Sequence, residues 1–106
     1  MVIKKDGRRE PYSRGKLLRG MEVACRKRPV ATTSLERAAD EIEQALFNSG
    51  EPEISSTEVG NLIMERLLLM DPVAYVRFAS VYLQFEDAGQ FRELIEGMRK
   101  GRRSRR

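Results

Sequence analysis

The residues of this chain that could do chemistry are cations gathered near its N-terminus. Lysines and arginines occupy positions 4, 5, 8 and 9, and Lys16 and Arg19 follow shortly after. If residues 2–12 form a hairpin that packs over the start of the next helix, several ammonium and guanidinium groups surround one small cavity. Like charges repel, so such a cluster is tolerated more easily when a polyanion neutralises it. The cluster therefore favours a site for a triphosphate or a nucleic acid.

Each of these cations taken alone is also explained by a solvated basic surface. The chain has no Gly-x-x-x-x-Gly-Lys-Ser/Thr loop, the motif that cradles phosphates in many nucleotide hydrolases. A nucleotide bound here would therefore be held without the usual machinery of hydrolysis. We expect a binding domain with no catalytic residues and no enzymatic activity.

Composition excludes the common metal sites. The chain has no histidine and one cysteine, Cys25, so it cannot form a zinc site or an internal disulfide. We interpret Cys25 as a small, partly buried apolar residue. The longest apolar runs, such as residues 67–70, are far shorter than the ~20 residues of a membrane span. Residues 1–28 also lack the apolar core of a signal peptide, so we expect a cytoplasmic protein without membrane contact.

The net charge of +4 combines three blocks of different sign. Residues 1–28 hold ten Lys/Arg against three Asp/Glu, residues 29–98 hold four against thirteen, and residues 99–106 hold six against none. We expect the acidic block mainly on the outer faces of helices. The final block predicts a basic tail that is a disordered, solubilising end or a holder of nucleic-acid phosphates without sequence preference.

The first part of the chain predicts a hairpin, and a later segment predicts a third short strand beside it. An apolar stripe predicts the first helix. The Asp-Gly pair at positions 6–7 predicts a β-hairpin over residues 2–12. Residues 53–55 are too few for a helix and could add a third strand, which a marginal two-stranded ribbon needs for stability. An apolar stripe over residues 14–28 predicts a helix that Pro29 ends.

Cap signals predict three further helices. Thr33 with Glu36, and Ser55 with Glu58, have the form of capping boxes and open the next two. Asp71 before Pro72 places a cap residue ahead of proline at the first helical position of another.

The helix that follows Pro72 is apolar nearly all round, which is typical of the centre of a bundle. Arg77 within it then needs a carboxylate or phosphate partner. A final amphipathic helix is predicted over residues 87–98. Because no strand alternates with helices as in a parallel sheet, we predict an α+β fold, a small bundle of four to five helices capped by the hairpin and the short third strand.

Several stretches resemble a known family. The sequence VIKKDG at residues 2–7, with EPY at 10–12 and KL at 16–17, is similar to the opening of the ATP-cone, a regulatory nucleotide-binding domain of many ribonucleotide reductases. More particular are RREPY at 8–12, KRPV at 27–30 and VAYVRFASVY at 73–82, followed by Phe85. These resemble the ATP-cone of NrdR, the bacterial transcriptional repressor of ribonucleotide reductase genes.

The resemblance implies a domain over residues 1–98 that binds ATP or dATP. Triphosphates usually bring Mg²⁺, and the sequence leaves open whether it accompanies them here. It also implies a homo-oligomer whose state changes with the nucleotide. Carried over by position, Lys4 and Lys5 hold phosphates from the first strand, and Lys16 reaches phosphate from the first helix. Lysine at position 5, where many ATP-cones have arginine, keeps the charge but loses the bidentate fork.

Three other positions of the implied nucleotide site have structural alternatives. Val2 lines the adenine pocket by position, and it could equally be strand core. Ser56 lies where the family often contacts the nucleotide, and it could be part of a helix cap. Tyr82 would face the pocket from the apolar helix, and it could be bundle core.

The family resemblance also bears on DNA. NrdR begins with a four-cysteine zinc ribbon that binds DNA, whereas this chain holds one cysteine, so we expect no zinc here. DNA would be contacted only through such a ribbon elsewhere, or weakly through the basic tail. Two alternative functions stay open, an allosteric ATP-cone of a ribonucleotide reductase and a nucleic-acid-binding protein that acts through residues 99–106.

Overall fold

The fold begins with two short strands joined by a tight turn. Strands β1 (Val2–Ile3) and β2 (Arg9–Glu10) pair antiparallel, with Val2 opposite Glu10. Gly7 in the turn has φ of 88°, a left-handed conformation that glycine adopts without steric cost. Strand β3 (Ile54–Ser55) pairs in parallel with the other side of β1, which gives the order β2-β1-β3. The predicted hairpin and third strand are confirmed.

The computed structural model describes residues 1–104, with side chains described up to Arg99. Within this part of the chain the helices are α1 (Arg14–Ala24), α2 (Thr32–Asn48), α3 (Ser56–Met70), α4 (Pro72–Tyr82) and α5 (Ala88–Ser104). A helical bundle with a small mixed sheet at one end is the predicted α+β class. Side chains of the basic tail from Lys100 onward lie outside the described residues.

Side-chain caps fix the start of three helices. Ser13 Oγ accepts from the N–H of Lys16 at 3.2 Å, and Ser55 Oγ accepts from the N–H of Glu58 at 3.1 Å. Asp71 Oδ1 accepts from the two N–H groups of Val73 and Ala74 at 2.9 and 3.0 Å. These bonds satisfy N–H groups that have no partner within the helix. The predicted caps at Ser55 and Asp71 are confirmed.

The predicted capping box at Thr33 is wrong. Helix α2 begins at Thr32, and Ala31, two residues before the predicted cap, occupies the cap position without a side-chain hydrogen bond. Leu35 faces the core from the first turn, and it is 4% exposed. Packing of the apolar stripe therefore positions this helix without help from a cap.

The first helix is shorter than its apolar stripe predicts. Helix α1 ends at Ala24, and the chain then turns through Lys27, which has φ of 62°. Arg77 Nη1 donates to the carbonyls of Ala24 at 3.4 Å and Arg26 at 2.6 Å. The prediction that Arg77 needs a carboxylate or phosphate is thus wrong, because two backbone carbonyls at the end of α1 accept its protons and its side chain lies at the surface.

The core lies between the first four helices. Met21 of α1, Ile42 of α2 and Leu67 of α3 are fully buried, and Ala74 and Ala79 of α4 pack with no exposed surface. Cys25, 6% exposed, belongs to the same apolar cluster, as its interpretation predicts. Burial raises the pKa of its thiol.

Helix α4 is less enclosed than predicted. It packs against α1, α3 and α5, yet Val73 and Val81 on its outer side are 42% and 78% exposed. Helix α5 continues past residue 98, where the domain was predicted to end. The division into a domain at 1–98 and a tail at 99–106 stays a prediction. No helix in the described part of the chain is long and apolar enough to cross a membrane.

Candidate functional site

A cavity of about 250 Å³ opens where the sheet meets α1, α3 and α4. Five of the six site residues predicted from the sequence line it: Val2, Lys4, Lys16, Ser56 and Tyr82. Its deeper wall is apolar and includes Val59, Ile63 and Phe78. The cavity thus combines an apolar interior with two ammonium groups contributed by β1's end and by α1.

The two lysines converge on one carboxylate. Lys4 Nζ lies 3.1 Å and Lys16 Nζ lies 3.5 Å from Oε1 of Glu10. The hydrogen bond from Lys4 is the main reason that the pKa of Glu10 is lowered, with Lys16 adding to the effect, so Glu10 is ionised near neutral pH. Lys16 is 71% exposed and Lys4 39%, which leaves both able to reach a ligand at the mouth.

Tyr82 closes the cavity from α4. Its Oη donates to the carbonyl of Thr57 at 2.9 Å, and its ring stacks on Phe78 with the centroids 5.5 Å apart. The ring also passes so close to Gly60 that a Cβ added there would overlap it. A side chain at position 60 would therefore displace the Tyr82 ring from its place over the first turn of α3.

Lys5 is not among the residues that line the cavity. Its Nζ lies 5.3 Å from the centroid of the Tyr82 ring, on which an ammonium group is attracted by the negative face of the π-system. Lys5 thus lies near the Tyr82 ring without lining the cavity. Its predicted contact with phosphate stays a prediction.

Val2 fits its structural and its functional interpretation together, whereas Ser56 does not act as the helix cap that was its structural alternative. Val2 is 8% exposed, so it is strand core, and it also lines the cavity. Ser56 is the first residue of α3 and half-buried, while the capping hydrogen bond of this helix is made by Ser55. The Ser56 side chain is therefore not needed as the cap.

Three other cations of the N-terminal cluster do not converge with Lys4 and Lys16. Arg8 pairs with Asp6 at 2.6 Å, and Arg9 pairs with Glu53 at 3.0 Å across the sheet edge. Arg19 does not line the cavity. The predicted convergence of all these charges is wrong, because carboxylates of the hairpin and of the segment before β3 hold the two arginines elsewhere.

One wall of the cavity is fixed by a network between the hairpin, α1 and α2. Tyr12 Oη donates to Glu43 Oε2 at 2.7 Å, and Arg14 Nη1 bonds the other oxygen of the same carboxylate at 2.6 Å. Arg14 also pairs with Asp40 at 2.8 Å. Burial, followed by the bond to Glu43, raises the pKa of Tyr12, so its hydroxyl stays protonated and the wall stays intact at neutral pH.

Sequence reasoning missed Glu10, Gly60 and Phe78 as members of the site. A glycine inside an otherwise helical pattern is a signal of close approach by another element, and Gly60 carries that signal. Glu10 could be predicted only as part of the EPY string, because its role depends on the register that brings it beside Lys4. Among the described residues no group of three or more His, Cys, Asp or Glu side chains could hold a metal ion by itself.

The sequence matches the family described as ATP cone domain over residues 1–88. A protein named transcriptional repressor NrdR from Chloroflexus aurantiacus is 48% identical over 107 residues, which cover 95% of this chain and 64% of that protein. Proteins of the same name are 54% identical in Pelotomaculum thermopropionicum and 53% identical in Geobacillus kaustophilus. Each match covers 97% of this chain, with 64% and 68% of the respective protein.

The chain therefore spans 64% of the length of the first two of these relatives. These relatives are named as repressors and not as enzymes, in agreement with the expectation of no enzymatic activity.

Proposed function

Because the chain belongs to the ATP-cone family, and within it to the ATP-cones of proteins named transcriptional repressor NrdR, we propose that its cavity binds ATP or dATP. The observation that carries this proposal is the convergence of Lys4 and Lys16 at a cavity whose lining also includes the apolar side chains of Val59, Ile63 and Phe78. An adenine ring suits the apolar interior, and the phosphates suit the ammonium groups.

Each site residue then has a role that follows from its place. Val2 packs against the base, as Val59 and Ile63 do on the opposite side. Lys4 and Lys16 hold the phosphates at the mouth, where a triphosphate extends into solvent past the exposed Lys16. Ser56 offers a hydroxyl beside the N-terminus of α3, and helix N-termini favour anions. Lys5, beside the Tyr82 ring, supplies a further cation for the phosphates, and Mg²⁺ accompanies the triphosphate.

The same proposal extends to the longer protein of which such domains are part. There the nucleotide would change the oligomeric state and thereby the repression of ribonucleotide reductase genes. A ligand can shift an equilibrium between assemblies only if it binds one of them more tightly, so ATP and dATP must differ in this respect. Large exposed apolar residues, Phe47, Leu69 and Val81, provide surface for association. DNA would be held by a zinc ribbon elsewhere in the repressor, with the basic end of this chain as a weak addition.

Thermal unfolding of the chain with ATP, dATP, GTP and tripolyphosphate in turn tests the proposal. A ligand at 100 times its dissociation constant stabilises the folded state by roughly 2.7 kcal/mol. We expect this order of stabilisation from the adenine nucleotides and less from GTP or tripolyphosphate. Equal effects of all four would show a merely cationic surface and would refute adenine recognition. Sedimentation of the same samples reports whether the assembly state changes.

A further inference from the structure

We propose that Glu10 is an internal competitor for the phosphate site, so that a nucleotide binds by displacing its carboxylate from Lys4 and Lys16. The inference rests on the proposed function, since it assigns the phosphates to these two lysines. It makes Glu10 the residue that sets how much nucleotide the domain needs before it responds.

The geometry is that of an occupied anion site. One oxygen, Oε1 of Glu10, lies within 3.5 Å of both ammonium nitrogens, and no other carboxylate of the described residues pairs with either lysine. Carboxylate and phosphate oxygens accept the same charge-assisted hydrogen bonds from ammonium groups. The Glu10 carboxylate therefore occupies the position beside both lysines that a phosphate oxygen would take.

The position of Glu10 makes coexistence with a phosphate unfavourable. Its side chain projects from strand β2 into the lining of the cavity and is 31% exposed. Two anions that share one pair of ammonium groups repel each other, so either the carboxylate swings toward solvent or the phosphate binds less tightly. Partial exposure gives the carboxylate a route outward.

The expected loss of affinity depends on whether the ligand binds to the two lysines. ATP and dATP must release the two ion pairs of Glu10. Their apparent affinity is therefore the intrinsic affinity multiplied by the fraction of molecules in which Glu10 has left the lysines. Adenosine needs only the apolar interior and leaves the ion pairs in place. The competitor thus acts on phosphorylated ligands and spares the nucleoside.

Calorimetric titration of Glu10→Gln with ATP tests the inference, because glutamine keeps the size of the side chain and removes its charge. Ion pairs between exposed side chains contribute little free energy. We therefore expect Glu10→Gln to bind ATP roughly three- to tenfold more tightly than the wild type. The affinity for adenosine is expected to be unchanged. Glu53→Gln is the matched control, since Glu53 pairs with Arg9 at the same sheet and does not line the cavity.

The other outcomes are distinct. An equal ATP affinity in Glu10→Gln, confirmed with Glu10→Ala in protein that melts cooperatively, would overturn the inference. A weaker ATP affinity in both variants would show that the carboxylate positions the lysines, and it would overturn the inference as well. Weaker binding only when Mg²⁺ is present would identify Glu10 as a metal ligand and overturn it too. If the wild type itself binds no ATP, the proposed function fails together with the inference. If the wild type binds ATP and Glu10→Gln does not bind it more tightly, the inference alone fails.

Discussion

Gly60 of α3 lies directly beneath the ring of Tyr82 of α4, whose hydroxyl donates to the carbonyl of Thr57 at 2.9 Å. The absence of a side chain at position 60 lets α3 and α4 pack closely at the cavity. Because Tyr82 forms part of the cavity wall, the shape of the site depends on this contact between two helices.

Gly60→Ala is expected to lower both stability and ATP affinity. The added methyl group overlaps the Tyr82 ring, and overpacking of this kind costs typically 1–3 kcal/mol. A displaced Tyr82 ring also changes the shape of the cavity, so we expect several-fold weaker binding of ATP. Urea denaturation and calorimetric titration measure the two effects.

Gly97→Ala on α5 is the matched control, because no atom lies within 4 Å of a Cβ built there. Alanine in a helix interior is favoured over glycine by about 1 kcal/mol, so this variant is expected to be as stable as the wild type or more so. In a Tyr82→Ala background, Gly60→Ala is expected to lose most of its cost. An equal cost in that background would contradict the account of the contact.

Asp71→Ala is expected to destabilise the fold by about 2–4 kcal/mol. Asp71 is 5% exposed, caps α4 through two N–H groups and pairs with Arg28 at 2.9 Å. Loss of a cap alone costs about 1 kcal/mol, and the guanidinium of Arg28 is left without its partner. Ser13→Ala, which removes a cap with one hydrogen bond, is the comparison and is expected to cost about 1 kcal/mol. Equal losses measured in urea would show that the ion pair adds nothing.

The charge of Asp71 also predicts how stability changes with pH. Burial acts to raise the pKa of this carboxyl, but the N–H of Ala74 and the guanidinium of Arg28 outweigh it, and the folded-state pKa is lowered. The carboxylate therefore contributes its full stability above the unfolded aspartate value of about 4, and the contribution is lost as pH falls through the folded pKa. Asp71→Asn is expected to show a shallower loss of unfolding free energy below pH 4. Parallel curves for the two proteins would refute this.

Arg77→Met is expected to cost about 1–2 kcal/mol, because the carbonyls of Ala24 and Arg26 lose their donor at the end of α1. Methionine retains the apolar stem of the side chain. Arg92→Met on the exposed side of α5 removes an arginine with no ion pair among the described side chains, and it is expected to be neutral. Chemical denaturation of both variants compares the two arginines, and equal effects would assign no role to the contact with α1.

Local chemistry explains what the sequence could predict. The Asp-Gly turn and the caps at Ser55 and Asp71 form from neighbouring residues, so they are visible in a short stretch of chain. The end of α1 was not predictable in this way, since it depends on Arg77, which is 51 residues from Arg26.

The same distinction holds at the site. Lys4 and Lys16 were predicted by their positions in the resemblance to the ATP-cone, in agreement with the cluster of positive charge. The part played by Gly60 depends on where α4 crosses α3, and that of Glu10 on the register of two strands. Arg8 and Arg9 carried the same charge signal, yet carboxylates near in space hold them outside the cavity.

Mapping of backbone amide shifts in isotope-labelled protein during titration with ATP tests the central claim most directly. If ATP binds in the cavity, the amides of Lys4, Lys16 and Gly60 shift together and saturably, while those of Arg37 and Leu69, on a separate surface between α2 and α3, do not. In Lys4→Ala/Lys16→Ala the same shifts require much higher ATP concentrations. Amide shifts confined to other surfaces would contradict the assignment of this cavity as the nucleotide site. So would shifts at the cavity that give the same ATP affinity in the double variant as in the wild type.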